Sequence, residues 1–202
     1  EPAKNGDGSV LVVGAGPAGM ECARVLGLRG YDVHLCESEG EMGGHMRDVM
    51  RYPGLAEWGR VVSYREGQLA KAKNVEVHTN TTLASNDVLT YGADKVVLAT
   101  GSSWAKDGFG HVSMAPIPGV DASTAQFLTP EQVMAGEAVG DRVVVLDSDG
   151  YFTGIAMAEM MADLGKQVSI VTQFEGAAPL THYTLEGPNI HRMLNEKNIT
   201  QY

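Results

Sequence analysis

Three glycines and one acid carry the clearest chemistry in this chain. Gly14, Gly16 and Gly19 follow the apolar run Val10-Leu11-Val12-Val13, and Glu37 closes a second apolar run. A Gly-x-Gly-x-x-Gly triplet that ends a strand, opens a helix and is answered by an acid about twenty residues on is the pattern that cradles a dinucleotide pyrophosphate. The chemistry is non-covalent. Gly14 permits the tight turn, Gly16 lets backbone approach the phosphates, and Gly19 lets the next helix pack closely on the sheet. Glu37 stands where a carboxylate accepts hydrogen bonds from both ribose hydroxyls of an adenosine and repels a 2′-phosphate.

The elements that position these residues are legible around them. The spacing predicts a helix over residues 17–29, with Ala18, Cys22, Val25 and Leu26 as its apolar stripe. Its N-terminus points free N–H groups and a positive dipole end at the anion. Residues 31–36 read as a second parallel strand that delivers Glu37. Gly43-Gly44-His45 follows, either as backbone close to the ligand or as a plain turn. A helix is expected over 55–72, a short strand over 75–79, and a buried strand over 95–99 that runs into Thr100-Gly101. Residues 102–118 form a polar crossing that contains the domain boundary. Thr129-Pro130-Glu131-Gln132 has the makings of a helix start: a threonine cap, proline in the first turn, glutamine three residues after the cap.

A second strand–helix–strand unit then repeats the plan of residues 10–37. A strand is expected at 142–146, a helix at 154–164 with Met157, Met161 and Leu164 on one face, a strand at 167–172, and a further helix around 188–197. The chemistry of the first unit is lost. Asp147 and Asp149 fall where the first two glycines belong, the loop is longer, only Gly154 survives, and Thr172 replaces the acid. Like unit charges about 4 Å apart repel by roughly 4 kcal/mol at an effective dielectric of 20, which excludes a pyrophosphate held in the usual way. The domain plan is therefore a linker at 1–8, a dinucleotide-binding domain at 9–102, an inter-domain crossing at 103–140 and an incomplete second fold at 141–202. We expect the chain to be a segment of a longer flavoprotein, because such a second domain normally continues and then returns to complete the first sheet.

Composition narrows the function classes. With 202 residues, 44% apolar and 20% charged, the chain suits one or two globular domains. No run approaches the roughly 20 apolar residues of a membrane span, so no membrane association and a cytoplasmic location are expected. A net charge of −10 without a basic cluster argues against nucleic acid. Two cysteines, Cys22 and Cys36, both in apolar settings, exclude a disulfide framework and a cysteine-ligated cluster within these residues. The six histidines show no metal-ligand spacing, and no metal ligand or catalytic residue is assigned.

Taken together, the triplet, Glu37, Gly43-Gly44-His45 and Ala99-Thr100-Gly101 resemble the flavoprotein reductases built on two dinucleotide folds. Tyr52-Pro53-Gly54-Leu55-Ala56-Glu57-Trp58, the stretch from Tyr91 to Gly101, Pro116-Ile117-Pro118-Gly119, Leu128-Thr129-Pro130-Glu131 and His182-Tyr183-Thr184-Leu185-Glu186-Gly187 narrow the likeness further. From Ser9 onward the chain resembles the C-terminal nucleotide-binding region of the trimethylamine dehydrogenase family, which includes dimethylamine and histamine dehydrogenases. The resemblance implies an α/β, FAD/NAD(P)-binding Rossmann-like three-layer fold with a parallel sheet, plus part of a second similar domain. It implies ADP, or FAD, held by Gly14, Gly16, Pro17, Ala18, Gly19, Glu37, Ser38, Gly44 and His45, with Thr100 and Gly101 nearby. For the parent enzyme it implies a barrel with covalent FMN, a four-iron four-sulfur cluster and the amine site. An electron-transferring flavoprotein is the implied acceptor and a homodimer the implied assembly. The segment alone is expected to be inactive. Two alternatives stand beside this reading: the FAD-binding portion of an NADPH-dependent 2,4-dienoyl-CoA reductase-like oxidoreductase, and a non-catalytic nucleotide-binding module.

Overall fold

A computed structural model describes residues 6–110, 114–121, 124 and 126–202. The chain separates into two compact units, Glu1–Ser102 and Ser103–Tyr202. The first holds β1 (Ser9–Val13), α1 (Pro17–Arg29), β2 (Asp32–Cys36), α2 (Met46–Val49), α3 (Gly59–Leu69), β3 (Val75–His78), α4 (Ser85–Thr90) and β4 (Lys95–Leu98). Its four strands are parallel in the order β3-β2-β1-β4. The central strand β1 buries Val10, Leu11 and Val12 on both faces, which accounts for its unbroken apolar run.

The core lies between one sheet face and the helices α1 and α3. Val10, Val12, Val33, Leu35 and Val75 meet Met20, Ala23, Val62 and Leu69 there, and a fully buried Val, Leu or Met side chain contributes about 1.5–3 kcal/mol. The face of α1 differs from the expected stripe. Gly19, Met20, Ala23 and Gly27 are buried, Cys22 and Leu26 only partly so, and Ala18 is exposed. The reason is steric: a Cβ at Gly27 would come 2.5 Å from Val75 Cγ2, so the helix approaches the sheet along its glycine line, which a count of large apolar residues overlooks. The helix closes at Gly30, in the left-handed region at φ 99°, with Gly30 N–H donating to Gly27 O and Tyr31 N–H to Leu26 O.

Two other expectations are corrected in this unit. β4 is an edge strand with Val96 and Leu98 exposed, not a buried strand, because among the described residues its one partner in the sheet is β1. The helix expected over 55–72 divides into a 3₁₀ turn at Ala56–Trp58 and α3, while the short α2 and α4 carry too little periodicity to be foreseen.

The second unit holds α5 (Pro130–Met134), β5 (Arg142–Asp147), α6 (Phe152–Asp163), β6 (Gln167–Thr172), α7 (Gly187–Glu196) and β7 (Thr200–Gln201). Its strands are parallel in the order β5-β6-β7. The core joins Ile155, Ala158 and Met161 of α6 to Val168, Ile170, Leu194 and Ile199. Leu164, expected on the apolar face, is 66% exposed, because α6 has ended and Leu164 caps it. Thr129 caps α5 as its sequence demands: Gln132 N–H donates to Thr129 Oγ1, and Thr129 N–H donates to Gln132 Oε1 at 3.0 Å. Among the described residues no helix is long and apolar enough to cross a membrane.

Candidate nucleotide-binding site

The chain leaves β1 toward β2 and β3, while β4 lies on the other side of β1. In an open parallel sheet, the crevice at such a reversal, beyond the C-terminal strand ends, is where ligands sit. Gly14–Gly19 follows β1 there, and Thr100-Gly101 follows β4, both of the latter residues exposed. Gly14 has φ +98°, and a Cβ on it would strike the Ala99 carbonyl oxygen. A Cβ on Gly19 would overlap the carbonyl oxygen of Gly14, so α1 sits directly on the turn. At Gly16 the outlook is different. A Cβ there meets no atom within 4 Å, which leaves its backbone open to a bulky anion.

Among the described residues no side chain hydrogen-bonds to the start of α1. Gly16 caps it with no side-chain hydrogen bond, Pro17 occupies the first turn, and no acid stands there. Met20 N–H closes on Gly16 O, while the N–H groups of Ala18 and Gly19 have no intrahelical carbonyl to reach. A helix of 13 residues thus presents donors and a positive dipole end to the crevice. The paired glycines complete the wall. Gly43 N–H donates to Ala15 O at 2.8 Å, and a Cβ on Gly44 would stand 3.2 Å from Gly16 Cα. His45, exposed, places Nε2 2.6 Å from Ser102 O.

Glu37 is buried and anchors the turn from behind. Its Oε2 accepts Ala15 N–H at 2.7 Å, and Oε1 accepts both Ser38 Oγ–H and Glu39 N–H at 3.0 Å. Burial pushes this carboxyl up, but the donors from Glu39, Ala15 and Ser38 outweigh it and hold it below the usual carboxylate range. An ionised carboxylate has about four acceptor positions, and the N–H groups of Ala15 and Glu39 and the Ser38 hydroxyl already engage three of those on Glu37. Ala15 is the residue the sequence pattern passes over: it stands at a variable position, yet its N–H and its C=O tie Glu37 and Gly43 to the turn.

The second unit shows how the same plan loses its opening. Asp147 ends β5 in register with Thr172, is buried, and turns its own carboxylate into the loop. Its Oδ1 accepts the N–H groups of Asp149 and Gly150, each at 3.1 Å, while Oδ2 is buried without a partner among the described residues. Those donors are the ones an anion would need. Burial raises the Asp147 carboxyl, Asp149 adding to the effect and the two N–H donors partly offsetting it. Gly154 makes room for this side chain, since a Cβ there would lie 2.7 Å from Asp147 Cγ. A cleft of about 660 Å³ beside the loop is lined chiefly by apolar groups such as Trp104, Phe127, Val143 and Met157.

Comparison with known proteins agrees with this geometry. Residues 12–72 match the NAD(P)-binding Rossmann-like domain, and residues 128–202 match the OYE-like second alpha/beta domain. Dimethylamine dehydrogenase of Hyphomicrobium sp. (strain x) is 45% identical over 205 residues, covering 98% of this chain and 28% of that protein. Among solved structures, histamine dehydrogenase from Rhizobium sp. 4-9 superposes with a TM-score of 0.90 at 39% identity, over 99% of this chain and 31% of that one. The 6-hydroxypseudooxynicotine amine oxidase of Pseudomonas geniculata N1 gives a TM-score of 0.91 at 39% identity, over 99% and 30%. The chain therefore spans under a third of the length of these relatives. With its glycine turn, its parallel sheets and this likeness along nearly its whole length, it belongs to the trimethylamine dehydrogenase family as a nucleotide-binding region.

Proposed function

We propose that this chain is the ADP-binding and scaffold region of an amine dehydrogenase whose chemistry takes place elsewhere in a longer parent. One observation carries the reading: the first turn ends in an open helix start that no side chain caps, backed by Glu37, while Asp147 already fills the second. Gly14, Gly16, Pro17, Ala18 and Gly19 would hold the diphosphate, with Glu37 and Ser38 toward the ribose and Gly44, His45, Thr100 and Gly101 at the rim. None of these groups would exchange protons or electrons with a substrate.

In the proposed parent a barrel with FMN and a four-iron four-sulfur cluster oxidises the amine and passes electrons to an electron-transferring flavoprotein. A second turn unable to take NADPH suits an enzyme that gives electrons to a protein. The reductase reading has its own support in the match to the OYE-like second alpha/beta domain and in a cinnamate reductase 33% identical over 178 residues. It requires FAD in the first crevice and NADPH in the second, and Asp147 weighs against the latter.

Mass and visible absorption of the small molecule released on denaturing the purified protein decide between them. ADP without flavin colour is expected. FAD would favour the reductase, and a nicotinamide cofactor, or no nucleotide binding even when ADP is added, would overturn the proposal.

A further inference from the structure

On the sheet face opposite the α1 side, parallel pairing brings together residues that lie far apart in sequence. His34 pairs with Glu76 and Cys36 with His78, so His34, Glu76 and His78 project from neighbouring strands on one face. Each offers a ligand atom, and the three atoms lie within 4.8 Å of one another. The two imidazoles stack with centroids 6.0 Å apart and planes inclined by 24°. Asp32 Oδ2 lies 3.9 Å from His34 Nε2, and Glu76 Oε2 lies 3.6 Å from His78 Nε2.

We propose that His34, Glu76 and His78 form a binding site for a borderline divalent cation of the Zn²⁺ class. Two imidazoles and one carboxylate are a known zinc donor set, leaving a fourth position for water or for Asp32. Zinc–ligand bonds of about 2.0–2.1 Å in a tetrahedron place donor atoms roughly 3.3 Å apart, so modest rotations of these half-exposed side chains close the site. The strands supply a rigid base, since neither backbone has to move.

An independent contact supports the assignment. Tyr91 Oη lies 2.9 Å from His34 Nδ1 and its ring packs edge-on against the imidazole at 5.6 Å. A hydroxyl oxygen that accepts Nδ1–H leaves the Nε2 lone pair for a metal, the usual way a neighbouring group orients a ligating histidine. The bound cation would clamp β3 to β2 just before Glu37, so it would stabilise the first unit in proportion to the logarithm of its concentration over Kd.

The test uses the full chain, expressed without a histidine tag, stripped with chelator and dialysed against ZnCl₂, with bound metal counted. One Zn²⁺ per chain is expected at micromolar free metal. His34→Ala and His78→Ala should each weaken binding at least about tenfold, Tyr91→Phe by about tenfold, and His191→Ala not at all. Circular dichroism reports folding of each variant. Glu76→Gln, on a side chain 65% exposed, supplies the same test without threatening the core. Absence of saturable binding, or binding indifferent to Glu76→Gln and to whichever histidine variants fold, would overturn the site.

Discussion

At the residue scale, neighbouring glycines of the triplet have opposite sensitivities. Gly16→Val projects a side chain into open space, so the unliganded protein should keep its melting temperature while affinity for ADP falls tenfold or more. Differential scanning calorimetry with and without ADP reads both effects. Gly19→Ala instead drives a methyl group into the Gly14 carbonyl and should cost about 1–3 kcal/mol in urea unfolding whether or not ligand is present. The acids separate by sign. Glu37 is held below its ordinary value of 4.5 in the folded state, so its stabilisation is complete above that value and is lost as pH falls through the lower folded one. Glu37→Gln sets an amide N–H₂ against donors and should cost about 1–3 kcal/mol at pH 7, a loss that shrinks in acid. Asp147 is raised above its ordinary 3.8, so its ionisation destabilises the fold as pH climbs past that value. Asp147→Asn keeps an acceptor for Asp149 and Gly150 and should stabilise by about 1 kcal/mol at pH 7, with the gain vanishing below pH 3.8, as urea titrations at several pH values would show.

At the element scale, the two βαβ units differ in what occupies the strand–helix turn. In the first, α1 begins on bare glycine backbone, so its start stays open to an anion; in the second, a carboxylate from the strand end satisfies the loop. Elsewhere, a helix start is a matter of stability alone. Thr129→Ala removes the acceptor for Gln132 N–H and should lower stability by about 1 kcal/mol, seen as a smaller urea midpoint for the second unit with ADP affinity unchanged. The cap and the glycine triplet were both legible in the sequence, because each depends on residues within a few positions of one another. The buried face of α1 was not. It follows from how near Gly19 and Gly27 let the helix come to the sheet, a distance set by partners far along the chain.

At the scale of the whole molecule, each unit has its own core, so ligand effects should be confined. Hydrogen exchange with ADP should slow amides near Gly14–Gly19, Glu37 to His45 and Thr100-Gly101 while leaving the loop from Asp147 to Gly154 unchanged. Protection spread equally over both units would contradict a single nucleotide site.

The sequence by itself determined the strand–turn–helix with its acid, the repeat that follows and the decay of its glycines, since all of these rest on local spacing and on charge. Tertiary structure alone decided the rest. Parallel register set His34 beside Glu76 and His78, sheet order made β4 an edge, and close packing turned Asp147 inward onto its own loop. Such outcomes depend on which strands become neighbours, and a pattern within one segment holds no record of the segment it will meet.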